Sequence, residues 1–207
     1  MGSLLLSCDA NSNAIETNFD ADCLRIPNSK KESYFPEKVF DDSTSYEGKT
    51  KFLSNWYSKH LFSMNEPIIY ECTETSESYR FTWLRTFHEP IAVRITRTKD
   101  KIKLYWKKTN GAGGYNAGKI IEQGNKEISI NDFNEFKSKL DSCKFFNMAT
   151  NEETMGLDGA KWILEGINGD NEYHLVDRWN AKENPFGKAC LFLVELTELK
   201  IDKELIY

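Results

Sequence analysis

Three histidines bound the acid–base chemistry open to this chain. His88 precedes Glu89 in TFHEP, and His174 lies in YHLVDRW with Asp177 close behind it. Glu165, in DGAKWILEG, becomes a cross-strand neighbour of His174 if the two segments pair. A histidine base oriented by a carboxylate can activate a nucleophile or a held water. These residues therefore outline a hydrolase-like site, with His174 or His88 as base and Asp177 or Glu165 as orienter. Asp158, Glu165 and Asp177 are the acids that glycoside chemistry would draw on. Cys143 and Cys190 are the nearest thiol nucleophiles, but both fall on helices among apolar residues, where a thiol usually packs, and no nucleophile elbow accompanies them. His60 also sits on an apolar helix stripe and reads as a packed histidine. No CxxC or Cys/His spacing suits a zinc site, so neither a metal nor another cofactor is expected.

Recognition chemistry has more residues behind it. In LYWKK and its surroundings, Lys101, Lys103, Tyr105 and Lys107 share one face of a strand. Arg94 joins them from the preceding strand, with Arg80, Arg85, Arg97 and Lys108 close by. The result is a locally basic sheet surface, which reads as a docking face for an acidic protein or an anionic surface. Lysines that keep a solvated sheet from pairing edge to edge would look the same. Tyr115, at the centre of NGAGGYNAG, is a further contact candidate or an aromatic lid. The strand-like KII that follows makes this glycine-rich stretch a wide or bulged hairpin rather than a phosphate loop.

These residues need a frame. A helix at about 49–64 carries Phe52, Leu53, Trp56, Tyr57, His60 and Leu61 at helical spacing. After Pro67 the period changes to two, giving strands at 68–73, 79–87, 91–98 and 101–108, with another after Gly118. A second helix at about 131–143 is capped by Asn131 or Asp132, and Pro185 opens a third that ends near Leu196. Between them, 158–179 forms a hairpin. An Asn168-Gly169 turn or a four-residue loop over 168–171 places Trp162 and Leu164 on one face with Tyr173, Leu175, Asp177 and Trp179. A three-residue loop would set Trp162 against a polar residue and is rejected. Lys161, Ile163, Glu165, His174, Val176 and Arg178 then share the other face. Asp177 on the apolar face requires a partner, either a basic neighbour or the Trp162 indole. The expected fold is α+β: an antiparallel sheet of about six or more strands with helices packed mainly on one face.

The 207 residues suit one domain over 49–207, preceded by an N-terminal arm over 1–48. With 40% hydrophobic and 13% aromatic residues the chain can build a core. A net charge of −5 argues against nucleic acid as a partner. Leu5-Leu6-Ser7-Cys8 resembles the lipobox of bacterial lipoproteins, with Cys8 as the lipidated residue and a polar tether after it. Membrane contact is expected through that anchor alone, which places the protein in the bacterial cell envelope; without the anchor it would be cytoplasmic.

DGAKWILEG, YHLVDRW, FTWLRTFHEP and NGAGGYNAGK together resemble an uncharacterised bacterial protein family. The resemblance covers Trp56 to Leu199 and implies one compact domain, with no activity, cofactor or catalytic residue attached. The leading expectation is a non-enzymatic binding or interaction domain. The alternatives are the hydrolase-like enzyme above and a cytosolic immunity or inhibitor-type protein. Mass spectrometry of membrane-extracted protein made from the full-length gene should show a lipid-sized mass on Cys8. An unmodified Cys8 in wholly cytosolic protein would end the anchor.

Overall fold

A computed structural model describes residues 25–41, 48–72, 77–99, 101–152, 156 and 158–207; Cys8 lies outside them. The elements run α1 (Lys49–Ser63), β1 (Glu77–Arg85), β2 (Ile91–Arg97), β3 (Ile102–Thr109), β4 (Ile120–Glu127), α2 (Ile130–Ser142), β5 (Ala160–Ile167), β6 (Tyr173–Trp179) and α3 (Pro185–Glu195). Six antiparallel strands form one sheet in the order β4-β3-β2-β1-β5-β6, so the fold is α+β as expected. Among the described residues no helix is long and apolar enough to cross a membrane.

Both faces of the sheet are covered, which leaves β1 buried along nearly its whole length. α2 and α3 share one face, where Phe133, Phe136, Leu140, Ala189 and Leu193 pack on Phe81, Trp83, Trp162 and Leu164. α1 covers the other face, with Leu53, Tyr57 and Leu61 against Leu84, Ala92, Ile163 and Leu175. Tyr34, Phe35 and Phe40 complete that second core. The later part of the N-terminal arm therefore belongs to the domain, because its three rings supply the apolar surface that α1 alone does not. Residues 68–72 form no strand; Ile68 and Ile69 are buried as loop residues instead. The cap of α2 is Ser129, not Asn131 or Asp132. Its hydroxyl accepts the Asp132 N–H while Asp132 accepts the Ser129 N–H, a capping box that ties off two orphan donors.

The hairpin departs most from expectation. β5 and β6 are joined by five residues, so Ile167 pairs with Tyr173 and Trp162 with Arg178. An odd-length connection reverses the facing of one strand relative to the other. Trp162 and Leu164 turn towards α2 and α3, while Lys161, Ile163 and Glu165 join Tyr173, Leu175, Asp177 and Trp179 beneath α1. The loop closes on Asn168, whose side-chain oxygen accepts the N–H groups of Asp170 and Glu172. Asn171 takes a left-handed conformation, φ 61°, that asparagine tolerates well. Asn168→Ala removes both acceptor contacts and should lower stability by about 1–2 kcal/mol in urea denaturation. An unchanged midpoint would show that side-chain packing, rather than this closure, sets the register.

Candidate functional site

The α1 face of the sheet holds a row of charges that sequence patterning had assigned to solvent. Arg94 on β2 pairs in register with Arg80 on β1, and Arg80 with Glu165 on β5. Two arginines directly opposed repel each other unless carboxylates intervene. Glu165 supplies one, accepting from Arg80 Nε at 3.0 Å and from the Tyr173 hydroxyl at 2.9 Å. Glu66, in the turn after α1, supplies the other: it lies 3.2 Å from Arg94 Nε, 3.6 Å from Arg80 Nη1 and 2.9 Å from Lys107 Nζ. Burial would raise the Glu66 carboxyl, but Lys107, Arg94 and Arg80 outweigh it and hold its pKa at about 2. Burial pushes Glu165 up, with Arg80 and Tyr173 acting against it.

The basic docking face is therefore largely internal. Arg94 is 1% exposed and stacks over the Tyr105 ring, and Lys107 is tied to Glu66 and to the Asn65 carbonyl. Lys101 is exposed and paired with Glu127, while Lys103 is half-buried. Arg80 and Arg85 are also buried, and Arg85 lies over the Trp83 ring.

α1 is stitched along one flank to the 110–119 loop. Trp56 Nε1 donates to the Gly113 carbonyl at 2.9 Å, Lys59 Nζ to Tyr115 at 2.8 Å, and the Ser63 hydroxyl to Gly118 at 2.6 Å. Gly113 runs so close to β1 that a Cβ there would meet the Arg85 carbonyl oxygen at 2.5 Å, and Gly118 takes φ +68°. The sequence reading of a bulged hairpin connection holds: Ala112 and Asn116 form an isolated bridge, and the register shifts at Lys108/Thr109.

Beside these stitches lies an open cleft of about 860 Å³. Its floor is a cross-strand row, Leu84 on β1, Lys161 on β5 and Trp179 on β6. Phe52 and Trp56 form one wall and Tyr115 the other. Phe52 is 58% exposed and Tyr115 61%, and Tyr115 stacks on Phe87, itself 54% exposed. At the base, Lys161 Nζ sits 3.1 Å from both oxygens of the buried Asp177, which also accepts from the Tyr57 hydroxyl at 2.7 Å. Asp177 thus has the basic partner expected of it. The Trp162 indole instead donates to the Tyr207 carbonyl oxygen. Burial raises the Asp177 carboxyl while Lys161 and Tyr57 oppose the shift. The arrangement suits recognition: flat apolar surface above an ammonium group whose charge is already balanced.

The proposed acid–base pairs do not assemble. His174 lies on the opposite face from Glu165 and Asp177, its Nε2 2.9 Å from the Met148 carbonyl and its ring against Phe145 and Phe146. His88 Nδ1 is 2.7 Å from the Tyr207 hydroxyl. Among the described residues neither histidine bonds a carboxylate. Cys190 is buried and Cys143 half-buried, and burial raises both thiols. Among the described residues no cluster of three His, Cys, Asp or Glu side chains is placed to hold a metal. Of the expected contact residues, Tyr115 alone lines the cleft. Phe52, Trp56, Lys59, Lys161 and Trp179 were not singled out as contacts. One signal was available: the five apolar residues and His60 assigned to α1 are more than one helix face can bury.

Comparison with known proteins finds no matching family model and no matching curated protein.

His60 lies under this stitched flank, fully buried on α1. Among the described residues its ring nitrogens find no well-aligned hydrogen-bond partner. Burial and then Lys59 lower its pKa to about 4, and the nearby Gly113 carbonyl offsets only part of that. The folded pKa lies below the unfolded value near 6.5, so the unfolded state binds the proton first. His60 therefore supports the fold above pH 6.5 and its contribution is lost as pH falls towards 4, by up to about 3 kcal/mol. His60→Leu should flatten the stability–pH curve across that window in chemical denaturation; an unaltered slope would contradict this.

Proposed function

We propose that this chain is a non-enzymatic binding domain whose contact surface is the cleft between α1 and the 110–119 loop. The carrying observation is where the exposed rings fall. Of the five large hydrophobic side chains that stay exposed among the described residues, Phe52 and Tyr115 line the cleft and Phe87 stacks on Tyr115. Exposed aromatic surface gathered in one place marks an interaction site more often than chance exposure. The hydrolytic alternative has weaker support, because neither His88 nor His174 reaches the Lys161–Asp177 pair. A lysine-lined cleft also favours an acidic partner over the basic toxin that an immunity protein would meet. The LLSC sequence supports tethering in a bacterial envelope through Cys8.

Backbone amide shifts of ¹⁵N-labelled protein titrated with indole-3-acetate test the reading. Shifts should gather on Phe52, Trp56, Gly114, Tyr115 and Trp179. Phe52→Asp with Tyr115→Asp should abolish them while leaving the melting temperature unchanged. Shifts that avoid the cleft, or none at all, would refute it.

A further inference from the structure

The aromatic cleft does not end at Lys59. A second depression of about 530 Å³ adjoins it, and Lys59 lines both. Phe62 and Ser63 form its α1 wall, Gly118 and Lys119 its loop wall, and Lys30 its rim. We infer that the two form one groove, and that its occupant is an extended acidic segment of another polypeptide carrying a large apolar side chain at one end. This rests on the binding reading above and names the partner that the reading leaves open.

Charge carries the argument. The whole chain has 32 acidic against 27 basic side chains, yet among the described residues Lys30, Lys59, Lys119 and Lys161 line the two depressions and no Asp or Glu does. The charge is also unevenly placed. Lys161 is balanced by Asp177 at the aromatic end. At the other end Lys59 donates to a neutral carbonyl, and Lys30 and Lys119 stand at the exposed rim. A matching ligand is apolar where Phe52, Trp56 and Tyr115 converge and anionic beyond Lys59.

Length points to a polypeptide. Phe52 to Ser63 spans eleven helical steps, about 16 Å along α1. That is the reach of about five residues of extended chain. A compact aromatic anion fills the first depression and leaves the lysines of the second unused. A nucleic-acid strand would bring phosphates against a protein of net charge −5, and no arginine lines the groove.

Fluorescence anisotropy on the full chain tests this with labelled Phe-Leu-Ser-Glu-Asp-Glu. The controls are the same peptide with three lysines for the acids, one with alanines for Phe-Leu, and a ten-nucleotide oligothymidine. The acidic apolar peptide should bind best and weaken as salt rises. Lys30→Glu with Lys119→Glu, both at exposed positions, should weaken it about tenfold or more at unchanged melting temperature. Phe52→Ala should weaken it as well. Equal binding of the lysine peptide, tighter binding of the oligonucleotide, or an unmoved Kd in the charge-reversed variant would overturn the inference. If no peptide binds while indole-3-acetate still shifts the cleft resonances, the inference fails and the binding reading stands; if neither binds, both fail.

Discussion

One buried carboxylate underlies the arrangement of the α1 side of this molecule. Arg80 and Arg94 face each other across β1 and β2, which in isolation is a repulsive pair in a site sealed from water. A buried ion without a partner costs several kcal/mol, so the sheet can place two arginines there only if anions meet them. Glu165 comes from the neighbouring strand and is part of the sheet itself. Glu66 comes from the turn following α1, so satisfying the arginines also fixes where that helix ends. Lys107 on β3 adds a third cation and ties the same carboxylate to a third strand.

With its end pinned, α1 is aligned by polar contacts along its length. The Tyr57 hydroxyl meets Asp177 on β6, and Trp56, Lys59 and Ser63 donate in sequence to loop carbonyls. The side chains left over on that flank, above all Phe52, which touches the Trp56 ring on one side, stay largely in water. The cleft is thus the remainder of a docking geometry settled by charge. Its walls belong to a helix and a stitched loop, so its shape exists before any ligand arrives, and a preformed site spends less of its binding free energy on ordering.

Much of the frame was legible in the sequence because it follows from local rules. Period-two alternation located β1 to β3, the strand-like Lys119-Ile120-Ile121 pointed to β4, Pro185 with the Phe186, Ala189, Leu193 stripe located α3, and the spacing from Phe52 to Leu61 located α1. The faces of the β5–β6 hairpin were not legible, since they turn on loop length. Asn168-Gly169 signals a two-residue turn, yet the Asn168 side chain closes five residues around itself. That parity sent His174 to the face opposite Glu165 and dissolved the expected catalytic pair. It also put Lys161 and Asp177 under α1. The basic docking face was misplaced for a related reason: alternation shows that Arg94, Tyr105 and Lys107 share a side, but not that Glu66, outside every regular element, closes over it. Tyr115 was found because an aromatic ring in a glycine-rich loop has little to bury it.

The α1 side of the fold requires Glu66 to be ionised beneath the helix, held so by three cations, and this requirement can be measured. It is tested most directly by following the Glu66 side-chain carboxyl by ¹³C NMR as the protein is acidified, with Glu66→Gln used to assign the signal. A midpoint at about 2 is expected, against an ordinary value of 4.5. A Glu66 that titrates at or above that ordinary value in the folded protein would contradict it, because the arginines would then need some other anion and α1 would lose its anchor.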